Sequence, residues 1–345
     1  MTARDWSMHR YRSGDEVELL ALFNRTFGKN RSLEHWRWQF ERNPYLPPTI
    51  IVARRDRDGL LAGSHVLMPI TLNFSGERVL AGHTLDLVVH EDFRRQRMFE
   101  ATARECFVWA RERGMRAVIA FPNSQSCPGF VRSLGWSRVL EMRRYDRRLG
   151  LRGLLGGSRA AGLLTALPDA LFRALRSPRQ AAPGSEISVL AAAPADHDVL
   201  WAASAPHLAV SVWKDREYLA WRYDANPDHR FEYVILRRGD VLAGVAVLWR
   251  SAGRVTVCDL VARHDYNAAA ATMRGVIAHA TRAGADRLMF LGLYPGGGAA
   301  ALAGFEQRPA PENILTAAGL EDGAIDVRVR DGSAWAVCFG DADYV

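Results

Sequence analysis

The chain repeats itself once, and that repeat constrains its fold more than any other feature. Residues 38–44 read WQFERNP and residues 221–227 read WRYDANP, so both fit W-[QR]-[FY]-[ED]-x-N-P. LLAG (60–63) is answered by VLAG (241–244), and DLVVHEDF (86–93) by DLVARHDY (259–266). Gly114 and Gly284 each close a helix-like stretch and precede an apolar one, and LGW (134–136) is answered by AGF (303–305). The order is kept throughout, and the offset between partners shrinks steadily along the chain. One such match is chance; a collinear series describes a duplicated domain whose second copy has shorter loops.

Each copy carries the same coarse pattern. Helical stretches at 16–26 and 33–41 (215–223 in the second copy) precede strands at 49–55, 63–72 and 83–89. A helix over 98–113 follows, in which Phe99, Ala103, Cys106, Phe107 and Ala110 recur at spacings of three and four and mark one buried face. A strand at 117–122, a short helix around PGFVRSL (128–134) and one strand over 137–149 complete the copy. Strands with crossover helices predict an α/β fold: two tandem domains, each a mixed central sheet flanked by helices. The expected division is 1–150, a linker with a basic apolar helix at 151–184, and 185–345. A monomer or homodimer is expected.

Composition narrows the class. The 345-residue chain carries a net charge of +7, and its only lysines are Lys29 and Lys214. The many arginines are interspersed with acids rather than gathered in a stripe, which argues against nucleic acid as a partner. The four cysteines show no CxxC or Cys/His spacing, so neither a disulfide framework nor a metal site is expected, and a cytoplasmic location fits. No apolar run reaches the ~20 residues needed to span a bilayer, and the first residues lack the apolar core of a signal peptide.

The stretch EDFRRQRMFE (91–100) joins the strand-like LDLVV to the helix at 98. A strand-to-helix loop is a natural anion site, because free N–H groups and the helix dipole face whatever sits there. This loop has three arginines and no glycine. Its counterpart, RHDYNAAAAT (263–272), has no arginine after the first position, so a phosphate site is expected in the first copy alone.

The run V-x-x-x-F-R-x-x-x-M-F (89–99), the segment F-P-N-x-x-S (121–126) and L-G-W (134–136) resemble the GNAT acyltransferase superfamily. The similarity is best over Leu85–Trp136 and weaker back to Trp36, and residues 185–345 look like a degenerate second GNAT domain. The resemblance implies acetyl-CoA or another acyl-CoA as co-substrate and no metal. It implies that the pyrophosphate rests on a [QR]-x-x-G-x-[GA] loop, here Arg94, Arg95, Gln96, Arg97, Met98 and Phe99. Arg97 and Phe99 replace the small residues of that pattern; a side chain at 97 is tolerated if its φ is negative. It also implies that main chain near Leu87, Val88 and Val89 polarises the thioester, and that Asn123 and Ser124 touch the pantetheine arm between strands 83–89 and 117–122.

Amide formation needs a base for the amine. His83 and Asp86 on the central strand are the candidates. His83 aligns with Thr256 and belongs to the first copy only, whereas Asp86 returns as Asp259, which equally fits a role in the fold. The position where the resembling family places an acidic tyrosine is Val131, so Ser126, Cys127 or water must protonate the thiolate. Trp36, Trp38 and Ser126 are candidate substrate contacts, although a motif present in both copies also fits core packing for Trp38 and Trp221.

The expected function is an N-acyltransferase acting on a primary amine of a small metabolite, such as an amino sugar or a natural-product intermediate. The alternatives are a non-catalytic GNAT-fold binding or scaffold protein, and an acyltransferase that takes its acyl group from an acyl carrier protein or another donor. An acidic carrier would suit the arginine loop.

Overall fold

The structure, a computed structural model, describes residues 4–150, 184–294 and 302–343. The linker helix expected within 151–184 lies outside the described residues.

In the first half, β1 (Trp6–Arg10) leads into α1 (Glu16–Phe27) and α2 (Leu33–Trp36), which runs on into a π-helical turn, Arg37–Glu41. Then come β2 (Thr49–Arg55), β3 (Leu61–Phe74), β4 (Glu77–Val89), α3 (Met98–Glu112) and β5 (Ala117–Ala120). A second π-helical turn, Gly129–Ser133, precedes β6 (Ser137–Glu141) and β7 (Arg143–Arg148). The second half has β8 (Ser185–Leu190), α4 (His197–Ser204), β9 (Ser211–Val212) and α5 (Arg216–Leu219), again followed by a π-helical turn, Ala220–Asp224. It continues with β10 (Phe231–Arg238), β11 (Val241–Ser251), β12 (Arg254–Ala262), α6 (Tyr266–Arg282) and β13 (Arg287–Leu293). Last come β14 (Glu306–Arg308), β15 (Ile314–Gly319), α7 (Ala324–Arg330) and β16 (Val337–Cys338).

The strands form two sheets of eight. One runs β1-β2-β3-β4-β5-β15-β6 with β9 beside β3; the other runs β14-β7-β13-β12-β11-β10-β8 with β16 beside β13. Among the described strands, β4–β5 and β12–β13 are the parallel pairs. Each half therefore lends strands to the other: β15 lies between β5 and β6 and β9 lies beside β3, while β7 lies between β13 and β14. The expected single strand over 137–149 is in fact two. It breaks at Met142, which is buried and donates its N–H to the Asn313 carbonyl where the chain crosses from one sheet to the other.

The repeated motif has a repeated structural cause. Ser32 and Asp215 cap the two short helices, accepting the N–H groups of His35 and Tyr218. Asn43 accepts the Tyr45 N–H, and Asn226 those of Asp228 and His229, so each N-P step makes an Asx-type turn. Between them Trp38 and Trp221 are stacked with ring centroids 5.9 Å apart, and each indole donates to the other's carbonyl, at 2.7 and 2.9 Å. Trp36, Phe40, Trp201, Tyr223 and Trp335 extend this shared core across both halves. Burying that much aromatic surface is a large apolar contribution to the interface. No helix among the described residues is long and apolar enough to cross a membrane.

Candidate functional site

The site starts from a defect in pairing. β4 pairs with β5 only through Ala81, Gly82 and His83, and the two strands part beyond His83 and Ile119. On its other edge β4 pairs regularly with β3 to Leu85, then slips before Val88. The slip is a bulge at Asp86 and Leu87, and Asp86 adopts a left-handed φ of 44°. Bulges re-aim side chains out of the ladder's plane. Here the result is a cleft of about 590 Å³ between the parted strands.

One wall of the cleft is apolar and includes Leu87, Val89, Phe99, Phe121 and Phe130. Asn123 and Ser126 sit on the same side. The Asn123 side chain accepts the N–H groups of Gln125 and Ser126, which fixes this turn at the cleft edge. The other end carries His83, Asp86, Phe23, Phe27, Lys29 and Asp343, the last from the second half. Ser124 is exposed beside this turn. Val88 and Met98 are buried away from the opening, Met98 with its sulfur against Gly63. Trp36 and Trp38 belong to the core between the halves and do not line the cleft. Cys127 is buried and does not line it either.

At the mouth, α3 begins at Met98 after a loop in which both Arg95 and Arg97 have left-handed φ, 66° and 57°. A negative φ at Arg97, the condition under which its side chain is tolerated freely, is therefore not met. The loop takes the turn glycines would take and carries arginine there at a cost of roughly 1–2 kcal/mol each. The main-chain N–H groups of Arg95 to Glu100 have no partner among the described residues. Arg94, Arg95 and Arg97 are exposed and make no ion pair with described residues. Gln96 pins the loop: it accepts from the Trp6 indole at 3.1 Å and donates to the Asp92 carbonyl. Phe99 packs edge-on against Phe130, over Gly129, where an added Cβ would lie 2.9 Å from its ring. The glycine at 129 thus makes room for the bulk at 99.

Electrostatics concentrate at the inner end. Arg31 donates to Asp86 at 2.5 Å and lies 3.5 Å from Asp343, with its guanidinium 3.8 Å over the Phe23 ring. Gln39 holds the other oxygen of Asp343 at 2.7 Å. Burial raises the Asp86 carboxyl to about 6, with Arg31 opposing and Asp343 adding to the rise. Burial works the same way on Asp343, but Arg31 and Arg222 overcome it and its pKa is lowered. Burial pushes His83 down to about 4, so its imidazole is neutral at physiological pH. The Asp86 Oδ1 and His83 Nε2 atoms are buried with no hydrogen-bond partner. Arg31, Phe23 and Asp343 carry no motif, and Gln39 lies in the repeated motif without being marked as a site residue, so sequence reasoning did not find them.

The equivalent corner of the second half is closed. β12 and β13 also part, after Val257 and Phe290, but β16 pairs with β13 at Gly292 and Leu293 and fills the gap. Asp259, the partner of Asp86, is fully engaged with Lys214 and the Tyr223 hydroxyl. The N-terminus of α6 is capped by Asp265, which accepts the Ala268 N–H and pairs with Arg238. A carboxylate already occupies the place an anion would take. Asp259, Cys338 and Asp341 bring possible ligand atoms together, but Lys214 is paired with both carboxylates, so a cation sits there already.

Parted parallel strands, a bulged central strand and a helix N-terminus at the gap are duplicated in one chain, so the two halves share one α/β fold. Residues 7–139 match the model of the acetyltransferase (GNAT) domain, and this segment belongs to that family. Among solved structures, a probable N-acyltransferase from Enterococcus faecalis superposes with a TM-score of 0.69 at 13% identity, covering 91% of this chain and 72% of that one. A GCN5-related N-acetyltransferase from Anabaena variabilis gives 0.67 at 10% identity, with 92% and 73% covered. Saccharomyces cerevisiae N-myristoyltransferase with bound myristoyl-CoA gives 0.56 at 11% identity, with 92% and 83% covered. No curated protein matches the chain in sequence. The first half thus carries a GNAT acetyltransferase domain, and the chain as a whole shares the fold of those structures, built from two similar halves.

Proposed function

We propose that the first half transfers an acyl group from CoA to a primary amine of a small metabolite, with the second half completing the site. The observation that carries this reading is the contrast between two equivalent corners. One has free N–H groups, exposed arginines and an open cleft; the other is capped by Asp265 and filled by β16. Paired positions with the same local fold act as an internal control for what the open corner is built to hold.

In this reading the pyrophosphate lies on the N–H groups of Arg95 to Glu100, and Arg94 and Arg97 add charge-assisted bonds. The pantetheine arm runs between β4 and β5, past Asn123 and Ser126. The thioester carbonyl rests against main chain at Leu87 to Val89, where the bulge frees a group from the ladder. Asp86, with a carboxyl near 6, is ionised at neutral pH and basic enough to take a proton from the amine. Neutral His83 offers its free nitrogen to orient that amine. The C–N bond forms as the C–S bond breaks; the amine proton passes to Asp86 and the thiolate takes one from Ser126 or water. Asp86 and Asp343 share the Arg31 guanidinium, and these paired charges give the inner end polar groups to receive an amine, as on an amino sugar or a natural-product intermediate.

A carrier-protein thioester is the second reading. It is favoured by the outward, unpaired arginines at the cleft mouth, which suit an acidic surface. The test is thiol release from acetyl-CoA and from an acetylated holo-carrier protein, across a panel of primary amines, with Asp86→Asn alongside. Amine-dependent release lost in Asp86→Asn supports the proposal. Release only from the carrier favours the second reading. CoA binding without release from any donor would leave a non-catalytic binding protein.

A further inference from the structure

The end of the cleft that holds Asp86 and Asp343 has a rim of its own, built by the turn that closes α1. Gly28 ends the helix in a left-handed conformation, φ 60°, and its N–H and that of Lys29 both return to the Asn24 carbonyl. The Asn24 side chain then holds the Arg31 main chain twice, accepting its N–H at 2.9 Å and donating to its carbonyl at 3.0 Å. A turn pinned at both ends fixes where its side chains go. Arg31 turns inward to Asp86 and Asp343, while Lys29 lines the cleft. Lys29 is exposed and has no ion pair among the described residues, whereas the only other lysine, Lys214, is buried between two carboxylates. Next to Lys29 in the cleft wall come Phe27, which is 43% exposed, and Phe23, whose ring centroid is 5.0 Å from that of Phe27 and whose other neighbour is the Arg31 guanidinium. An exposed ring on a cleft wall is stabilised when an apolar group covers it.

We propose that this rim selects the acceptor: a primary amine on an apolar, planar body whose far end carries a carboxylate or a phosphate. The amine meets Asp86 and His83, whose Oδ1 and Nε2 atoms are buried without partners. The body lies on Phe27 and Phe23, and the anion meets Lys29, a point charge that takes either group. A polyhydroxylated amine fits this end poorly. Among the described residues on this side of the cleft, Thr84 has the only hydroxyl, and it is buried 3.5 Å from the His65 Nε2. Sugar hydroxyls would lose water there without gaining partners. This seat rests on the acyl-transfer reading above and narrows its acceptor.

The test compares benzylamine, para-aminomethylbenzoate, para-aminomethylphenylphosphonate and glucosamine on the full chain. Thiol release from acetyl-CoA gives kcat/KM, and calorimetry on the CoA-loaded chain gives Kd. In the wild type the better of the two anionic amines should surpass benzylamine by about threefold to fivefold in both readouts, and benzylamine should surpass glucosamine. Lys29→Met should bring the first ratio to about one, and Lys29→Glu should invert it. Phe27→Ser should close the gap between benzylamine and glucosamine. Each ratio is taken within one variant, so a general loss from the substitution cancels. Equal values for benzylamine and both anionic amines in the wild type, a ratio indifferent to Lys29→Glu, or a preference for glucosamine overturns the seat. Lys29-dependent binding without thiol release upholds the seat and contradicts the acyl-transfer reading. Thiol release without Lys29 dependence overturns the seat alone, and neither binding nor release overturns both.

Discussion

Trp38 and Trp221 are hydrogen-bonded to each other twice, each indole N–H donating to the other's main-chain carbonyl, with the rings stacked between. They are the same residue of the repeated motif, so this pair marks the near-twofold relation between the halves. Together with the exchanged strands β7 and β15 it makes each half dependent on the other.

Breaking either bond leaves a buried carbonyl without its partner. Trp38→Phe and Trp221→Phe should each cost about 1–3 kcal/mol of stability. Because the residues touch, the double variant should depart from additivity by more than about 0.5 kcal/mol. Urea unfolding of the four chains measures this, and strictly additive losses would contradict a mutual pair.

Lys214 is the buried counter-charge for two carboxylates, Asp259 and Asp341. Burial disfavours its charge, but the two carboxylates raise its pKa well above the ordinary value. Lys214→Met should therefore destabilise the chain by about 3–5 kcal/mol, by stranding both acids. A thermal midpoint unchanged from wild type would refute this placement.

Arg97 pays for its position with a left-handed backbone. Arg97→Ala removes the charge and keeps the strain; Arg97→Gly removes both. The glycine variant should be more stable than the alanine variant by about 1 kcal/mol, while both bind CoA more weakly than wild type. Differential scanning calorimetry and CoA titration separate the two effects, and equal stabilities would mean the loop is unstrained.

The Asp86 carboxyl is raised from an ordinary 3.8 to about 6. The folded chain then holds this proton more tightly than the unfolded chain. Its contribution to stability is greatest below 3.8 and is lost as pH rises towards 6, by about 3 kcal/mol in all. His83 works in the other sense: with its pKa lowered to about 4, stability is lost as pH falls from 6.5 towards 4. Asp86→Asn should abolish only the first slope, which urea midpoints from pH 4 to 8 resolve. In the enzyme, the acid limb of kcat/KM should lie near 6 and move down in Asp343→Asn, because Asp343 helps to raise Asp86. An unmoved limb would separate Asp343 from the chemistry.

The duplication, the central strand and the helix after it are legible in the sequence, because apolar spacing and paired motifs report local structure directly. The exchange of strands is not. Residues 137–149 read as one strand, and a continuous strand-like run cannot say that the chain changes sheets at Met142. The loop conformation was hidden for a related reason: left-handed turns are read from glycine, and arginine stands at 95 and 97. Among the candidate site residues, His83, Asp86, Leu87 and Val89 of β4 and Asn123 and Ser126 after β5 line one cleft, since the strands themselves position them, while Val88 and Ser124 do not. Trp36 and Trp38 lie in the core, as their repetition already hinted. Arg31 and Asp343 come together only through the tertiary fold, across nearly the whole chain, and no local pattern marks them.

The central claim is one live acyl-CoA corner and one closed corner in a duplicated chain. Calorimetric stoichiometry of CoA binding tests it most directly. One CoA per chain is expected, with binding weakened about tenfold or more in Arg94→Ala/Arg97→Ala and unaffected by Asp265→Ala. Two sites per chain, no binding at all, or binding indifferent to the arginine loop would contradict it.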